Sequence, residues 1–275
     1  MPARLIGVMN HVVRVQGLAV VRGGREVFSG LDLAIGSGQR VGVLGPNGVG
    51  KSTLAAILAA RLRPSAGSVE ILGRTVGRVD IRSVRSQIGF FSDELARQLA
   101  PETTAVEAIA MGRYAGLRAA WFQLSDQERL NAAELLRVVG LFDKRDSPVS
   151  EFSSGQRQRI LLARAFFGSP RLIVLDEPAS HLDFGAREDM IGSLEALMAR
   201  DGGPDALLVV SHHTEEIPAS VSHILLLGPG FSVFGPREEV LTAGMVSKVY
   251  GRPVALASLL GRTFAVAEPR LPDPL

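Results

Sequence analysis

The stretch "GPNGVGKST" (Gly45–Thr53) decides how the rest of the chain reads. It follows "VGVLG", a short apolar run of the kind a buried parallel strand presents. It opens "KSTLAAILAARL", a helical pattern that Pro64 stops. Strand, glycine turn and helix in that order are the context in which G-x-x-x-x-G-K-[ST] cradles phosphate, rather than merely turning the chain. The glycines (Gly45, Gly48 and Gly50) let successive backbone N–H groups converge on phosphate oxygens. Pro46, Asn47 and Val49 complete the loop. The helix N-terminus adds partial positive charge. Lys51 supplies a point charge for the β- and γ-phosphates, and Ser52, with Thr53 beside it, a hydroxyl for Mg²⁺.

Such a site needs a metal carboxylate at the end of another core strand. "RLIVLDEP" supplies one: four apolar residues, then Asp176 and Glu177. Asp176 is placed to hold Mg²⁺, mostly through water, and Glu177 to polarise an attacking water. A strand-end acid that only caps the next turn is the plainer reading of this motif when it stands alone. "LLVVSHH" ends a further strand with His212 and His213. His212 is placed to bridge the γ-phosphate and the water, where an isolated histidine would read as surface.

Around these motifs the pattern alternates. Leu31, Leu33 and Ile35 suit a half-buried strand within a run of short strands from 12 to 44. "GSVEILG" and "IGFF" are further strands. Residues 97–150 turn helical, with a capping box at Ser125 and Glu128 and a stop at Gly140. Helix and strand then alternate through "QRQRILLARAFF", "LIVLDEP", "GAREDMIGSLEALMAR", "ALLVVSHH" and "HILLLG". This is an α/β chain with a mostly parallel sheet, antiparallel strands at its N-terminus and an inserted helical subdomain. The Pro-rich end, residues 263–275, reads as a loose tail.

Composition excludes several classes. The net charge is +2 in 275 residues, which implies no polyanion partner, so no nucleic acid is expected. Without cysteine there is no disulfide or thiolate chemistry. Lysine occurs only at Lys51, Lys144 and Lys248. The first residues lack the apolar centre of a signal peptide, and Met9 is an alternative start. No apolar run reaches the roughly 18–20 residues of a membrane helix. These features lead to the expectation of a soluble cytoplasmic protein.

One stretch has no ligand among these motifs: "EFSSGQRQR" at residues 151–159, a small donor-rich turn before an Arg-rich helix. Taken with the other motifs, it gives the chain a resemblance to the ATP-binding cassette (ABC) ATPases over about residues 13–260. Phe152–Gln156 is similar to the family signature Leu-Ser-Gly-Gly-Gln. The resemblance implies a P-loop NTPase core of the RecA type, at about 13–94 and 155–262, around a helical subdomain at about 95–154. It implies ATP and Mg²⁺ as cofactors and a head-to-tail pair of cassettes, as a homodimer or with a second cassette. Ser153, Ser154, Gly155 and Gln156 of one copy would then cap ATP held by the other. "ASHLD" (Ala179–Asp183) resembles the D-loop, which puts Ser180 and Asp183 near the dimer interface. The family implies integral membrane transporter subunits, a solute-binding protein in the complex, and a place on the inner face of the cell membrane. "GRY" (Gly112–Tyr114) and the segment "GPREEVLTAGMVSKVYGRPVAL" resemble the ATPases of metal-chelate and vitamin B12 importers.

Two positions depart from the family. Where its Q-loop glutamine follows a strand, this chain has Ser92, then Asp93 and Glu94, while Gln87 lies five residues earlier. Where an aromatic residue stacks on adenine, this chain has Arg22, whose guanidinium plane is able to stack on a base. The leading expectation is the ATP-hydrolysing subunit of an importer. The alternatives are a stand-alone cassette acting on nucleic acid or in translation, and a regulatory nucleotide-binding module with low turnover.

Overall fold

Apolar residues at Val13, Val15, Leu31, Leu33 and Ile35 alternate with exposed Arg14, Gln16, Asp32 and Ala34. That period of two makes one face of a sheet dry and the other wet. The strands that carry it are β1 (His11–Arg22) and β2 (Arg25–Gly36), an antiparallel hairpin turned at Gly23 and Gly24. The computed structural model describes residues 11–77, 80–114 and 123–268. Where the sequence suggests several short strands before residue 36, there are two twelve-residue strands interrupted by register shifts, one of them around Gly17. β4 (Ala66–Ile71) and β5 (Arg74–Thr75) extend this sheet in the order β2-β1-β4-β5.

The second sheet has the order β10-β9-β3-β8-β7-β6. β3 (Arg40–Leu44), β6 (Ile88–Phe91), β7 (Leu172–Asp176), β8 (Ala206–Val210) and β9 (His223–Gly228) run parallel, and β10 (Phe231–Pro236) is antiparallel to β9. Its inner parallel strands are buried on both faces, so their side chains divide between two cores. Leu172, Val174, Leu208 and Val210 join the N-terminal strands and α1 (Lys51–Leu58). Ile173, Leu175, Leu207 and Val209 join the helices on the opposite face.

Those helices include α4 (Ala105–Ala110), α5 (Asp126–Val138), α6 (Ser154–Phe166) and α7 (Phe184–Met198); the short α2 (Ile81–Arg85) and α3 (Asp93–Arg97) flank β6. The expected box at Ser125 and Glu128 starts α5, with reciprocal bonds of 3.0 and 3.3 Å. A second box, Thr104 with Glu107, starts α4 and escapes the sequence reading. The helix expected through Tyr114 ends at Ala110 and continues as a 3-10 turn, Met111–Tyr114. After β10 come α8 (Arg237–Val240), α9 (Ala243–Tyr250) and a hairpin of β11 (Val254–Leu259) and β12 (Arg262–Ala267). Residues 263–267, expected to begin a loose tail, are therefore hydrogen-bonded strand. Residues 269–275 and Met9 lie outside the described residues.

The two cores lie on opposite faces of one sheet, so losses in them should be independent. Leu58→Ala and Leu162→Ala each remove a fully buried side chain, one from each core, and should each cost about 2–5 kcal/mol. Urea unfolding of the double variant should give the sum of the two within about 0.5 kcal/mol. A shortfall well beyond that would show a single coupled core.

Candidate functional site

The parallel strands all end on one side of the sheet, and the sequence motifs sit at those ends. β3 runs into Gly45, β7 ends at Asp176, β8 runs into Ser211 and His212, and β6 runs into Ser92. In open α/β sheets that edge is where ligands bind. A cleft of about 520 Å³ opens there, lined by Arg22, Ser52, Thr53, Ser92, Asp176 and Glu177 among others.

The loop before α1 is fixed by close contact. Gly45 has φ 159°, and a Cβ there would lie 2.2 Å from the Leu227 carbonyl oxygen on β9. Any side chain would push the loop off the sheet. From this loop Lys51 turns back, and its Nζ donates to the Gly45 and Pro46 carbonyls at 2.8 and 3.1 Å. It is 4% exposed and lies 4.0 Å from Glu177 Oε1. Burial holds its ammonium below the usual lysine range, while Glu177 and Asp176 pull the other way.

Asp176 also bears an electrostatic cost. Burial pushes its carboxyl up to about 6, against the Ser52 hydrogen bond and nearby Lys51; Glu177 and Asp93 push it further up. Its Oδ1 is buried and has no hydrogen-bond partner. Glu177 has φ 51°, a left-handed conformation that costs a non-glycine residue about 1 kcal/mol. That backbone is braced: Glu177 N–H donates to Val210 O at 3.1 Å, and its carbonyl accepts from Ser180 Oγ at 2.9 Å. The bracing aims the carboxylate between Lys51 and His212, whose Nδ1 is 3.6 Å from Glu177 Oε2.

The other expected residues fall into three groups. Arg22 and Ser92 line the cleft. Gln87 does not: it precedes β6 at the far end of the sheet and bonds Ser83 O. Gln98, at the end of α3, does line the cleft and was not anticipated, nor was Arg61, which stacks over Phe90. Among the described residues, none of Ser153–Gln156 lines the cleft of its own chain. They start α6, where Ser153 and Gln156 form a capping box. Ser154 is exposed. Gly155 is buried, and a Cβ there would sit 2.7 Å from Ala186 Cβ on α7. So packing inside its own chain, and not only approach by a ligand, requires a small residue at 155. Ser180 is buried beside the cleft, and Asp183 caps α7 through Ala186 N–H at 2.8 Å. Asp93, beside Ser92, accepts from Gln158 of α6 at 2.7 Å and so ties the cleft to that helix.

Comparison with known proteins gives a consistent picture. The family model described as ABC transporter matches residues 28–180. A manganese transport system ATP-binding protein of Halalkalibacterium halodurans is 31% identical, covering 88% of this chain and 93% of its own length. A solved metal-chelate type ABC transporter in an inward-facing conformation superposes with a TM-score of 0.75 at 25% identity, over 95% of this chain and 99% of that one. A bacterial ABC transporter cassette solved as a dimer gives 0.66 at 26% identity, over 78% and 94%.

The Asp176 carboxyl sets a stability test. Its folded-state value lies above the ordinary 3.8, so folding takes up protons between about pH 4 and pH 6. Stability therefore falls as pH rises through that window, and the full penalty is present above it. Asp176→Asn should stabilise the nucleotide-free protein at pH 7 by about 3 kcal/mol and make no difference below about pH 4. Thermal unfolding across that range checks it; equal stability of the two proteins at pH 7 would refute it.

Proposed function

The chain belongs to the ABC transporter family, an ATP-binding subunit whose hydrolysis of ATP serves transport, and from that premise we propose how its residues divide the work. The observation that carries the reading is the shared cleft of Ser52, Asp176 and Glu177, with Lys51 against Glu177, while Ser153–Gln156 lies outside it.

In this reading Gly45–Thr53 wraps the phosphates of ATP, with Lys51 releasing its carbonyl partners for phosphate oxygens. Arg22 lies under the base. Asp176 and Ser52 hold Mg²⁺. The fit rests on the orphaned Asp176 Oδ1 and on the donor set: no cluster of three His, Asp or Glu side chains occurs among the described residues. A cation shared between one or two carboxylates and phosphates is the arrangement Mg²⁺ favours. When bound, the cation neutralises charge on the phosphates. Glu177 orients the attacking water and draws on its proton, and His212, beside Glu177, bridges the γ-phosphate and that water. Ser92, too short to replace a glutamine directly, acts through water, with Gln98 nearby.

Ser153, Ser154, Gly155 and Gln156 complete the site of a second copy. Ser154 is exposed at the first turn of α6, where free N–H groups and the helix dipole favour an anion. Ser180 and Asp183 would lie at the same junction. We further propose the core at 13–94 and 155–262, the helical subdomain at 95–154, and an importer in which separate membrane subunits and a solute-binding protein complete the complex. Among the described residues no helix is long and apolar enough to cross a membrane, so attachment would be peripheral, on the cytoplasmic face.

Two outcomes test this. Glu177→Gln should bind ATP, lose at least about 100-fold in turnover and accumulate an ATP-bound dimer in size-exclusion chromatography; undiminished turnover would reassign Glu177 to structure. Ser154→Arg should leave ATP binding by the monomer intact and abolish turnover, because its bulk meets only the partner's triphosphate. Strong ATPase activity from the purified Ser154→Arg protein would remove the second copy from the site.

A further inference from the structure

The loop that carries His212 is gripped from outside by the C-terminal elements. Three side chains there each donate to a different main-chain oxygen of the loop. Tyr250, ending α9, donates to His212 O at 3.3 Å. Arg262, opening β12, donates through Nε to Glu215 O at 2.7 Å. Arg237, opening α8, donates through Nη1 to Pro218 O at 2.8 Å. The grips are interlinked. Arg262 also pairs with Glu188 on α7, one turn beyond Asp183. Arg237 Nη2 donates to Thr263 Oγ1 at 3.4 Å, and the chain after α9 is folded back by Val254 N–H on Ser247 Oγ at 2.8 Å.

Tyr250 reaches both sides of the site. Its hydroxyl also meets the Gly45 backbone, the first residue of the phosphate loop, and burial pushes the phenol up to about 12. It therefore stays a neutral donor under all working conditions. Inside the loop, Ser211 Oγ bonds Glu216 and accepts from His213 N–H at 2.9 Å, which shapes the turn but does not anchor it to the sheet. Ser211 N–H ties the start of the loop to Val43 O on β3 at 3.0 Å and Ser220 N–H ties its end to Glu195 on α7 at 3.1 Å; between those points the three outer donors hold the main chain.

We propose that residues 237–267 form a strap that fixes the His212 loop against the phosphate loop and α7, and that Tyr250 and Arg262 are positioning residues for His212. The strap sets the rate of the chemical step; Arg237 and Arg262 hold main chain behind the histidine and so leave nucleotide affinity alone, whereas Tyr250 also touches the phosphate loop. An ångström of play in a positioned group is enough to slow a reaction many-fold. The inference rests on the reading that His212 acts at the γ-phosphate.

The test uses the full chain with Tyr250→Phe, Arg262→Gln and Arg262→Lys. Tyr250→Phe and Arg262→Gln should each lower kcat three- to tenfold, Arg262→Gln with KM for ATP within twofold. Amide exchange across residues 212–217 should quicken at least tenfold, while exchange in β3 and β7 stays unchanged. Arg262→Lys, which keeps one donor, should recover most of the rate. Unchanged exchange in the loop overturns the strap; faster exchange with unaltered kcat overturns the positioning role; faster exchange throughout the protein would mean general destabilisation and also overturns it. His212→Ala is measured alongside. Turnover that survives it removes His212 from the reaction, a failure of the underlying reading that the exchange data register separately.

Discussion

The site is organised by one steric fact: the backbone at residue 45 passes so close to the Leu227 carbonyl that only hydrogen fits between them. That contact fixes where the phosphate loop leaves β3, hence where α1 begins and where Lys51 enters the interior. An ammonium group buried there has to face carboxylates, and β7 delivers Asp176 and Glu177 because its register with β8 places Asp176 opposite Val210. The cost of that concentration of charge falls on Asp176, whose carboxylate is desolvated and partly unsatisfied.

Much of this was legible in the sequence because the relevant signals are local. Gly45–Thr53 carries its own strand and helix context, and "LIVLDEP" announces both a buried strand and the acids at its end. The capping box at Ser125 and Glu128 is spaced three residues apart and can be read directly. What the sequence hid depends on distant partners. Gly155 reads as a donor-rich turn, yet its small size also answers to Ala186. Gln98 was invisible because α3 is only five residues long and its end reaches the cleft by the path of the chain. The hairpin after residue 253 was masked by nearby prolines, and its pairing with the His212 loop spans dozens of residues.

The two departures from the family pattern look different once placed. Ser92 and Arg22 both line the cleft. Asp93 is committed to Gln158, so a carboxylate–amide pair on neighbouring elements links the cleft to α6. A single charge-assisted bond of this kind is directional and short-ranged. It transmits a shift of α6 to the cleft only while the two elements stay in contact.

The donors that reach the His212 loop address carbonyl oxygens and ignore side chains. Every residue type offers the same oxygen. Along the stretch from His213 to Ala219, sequence drift should therefore be tolerated wherever a side chain has no task of its own, while Arg237, Tyr250 and Arg262 are held. Among descendants of this chain, substitutions should accumulate in the loop being held and spare the distant residues that hold it.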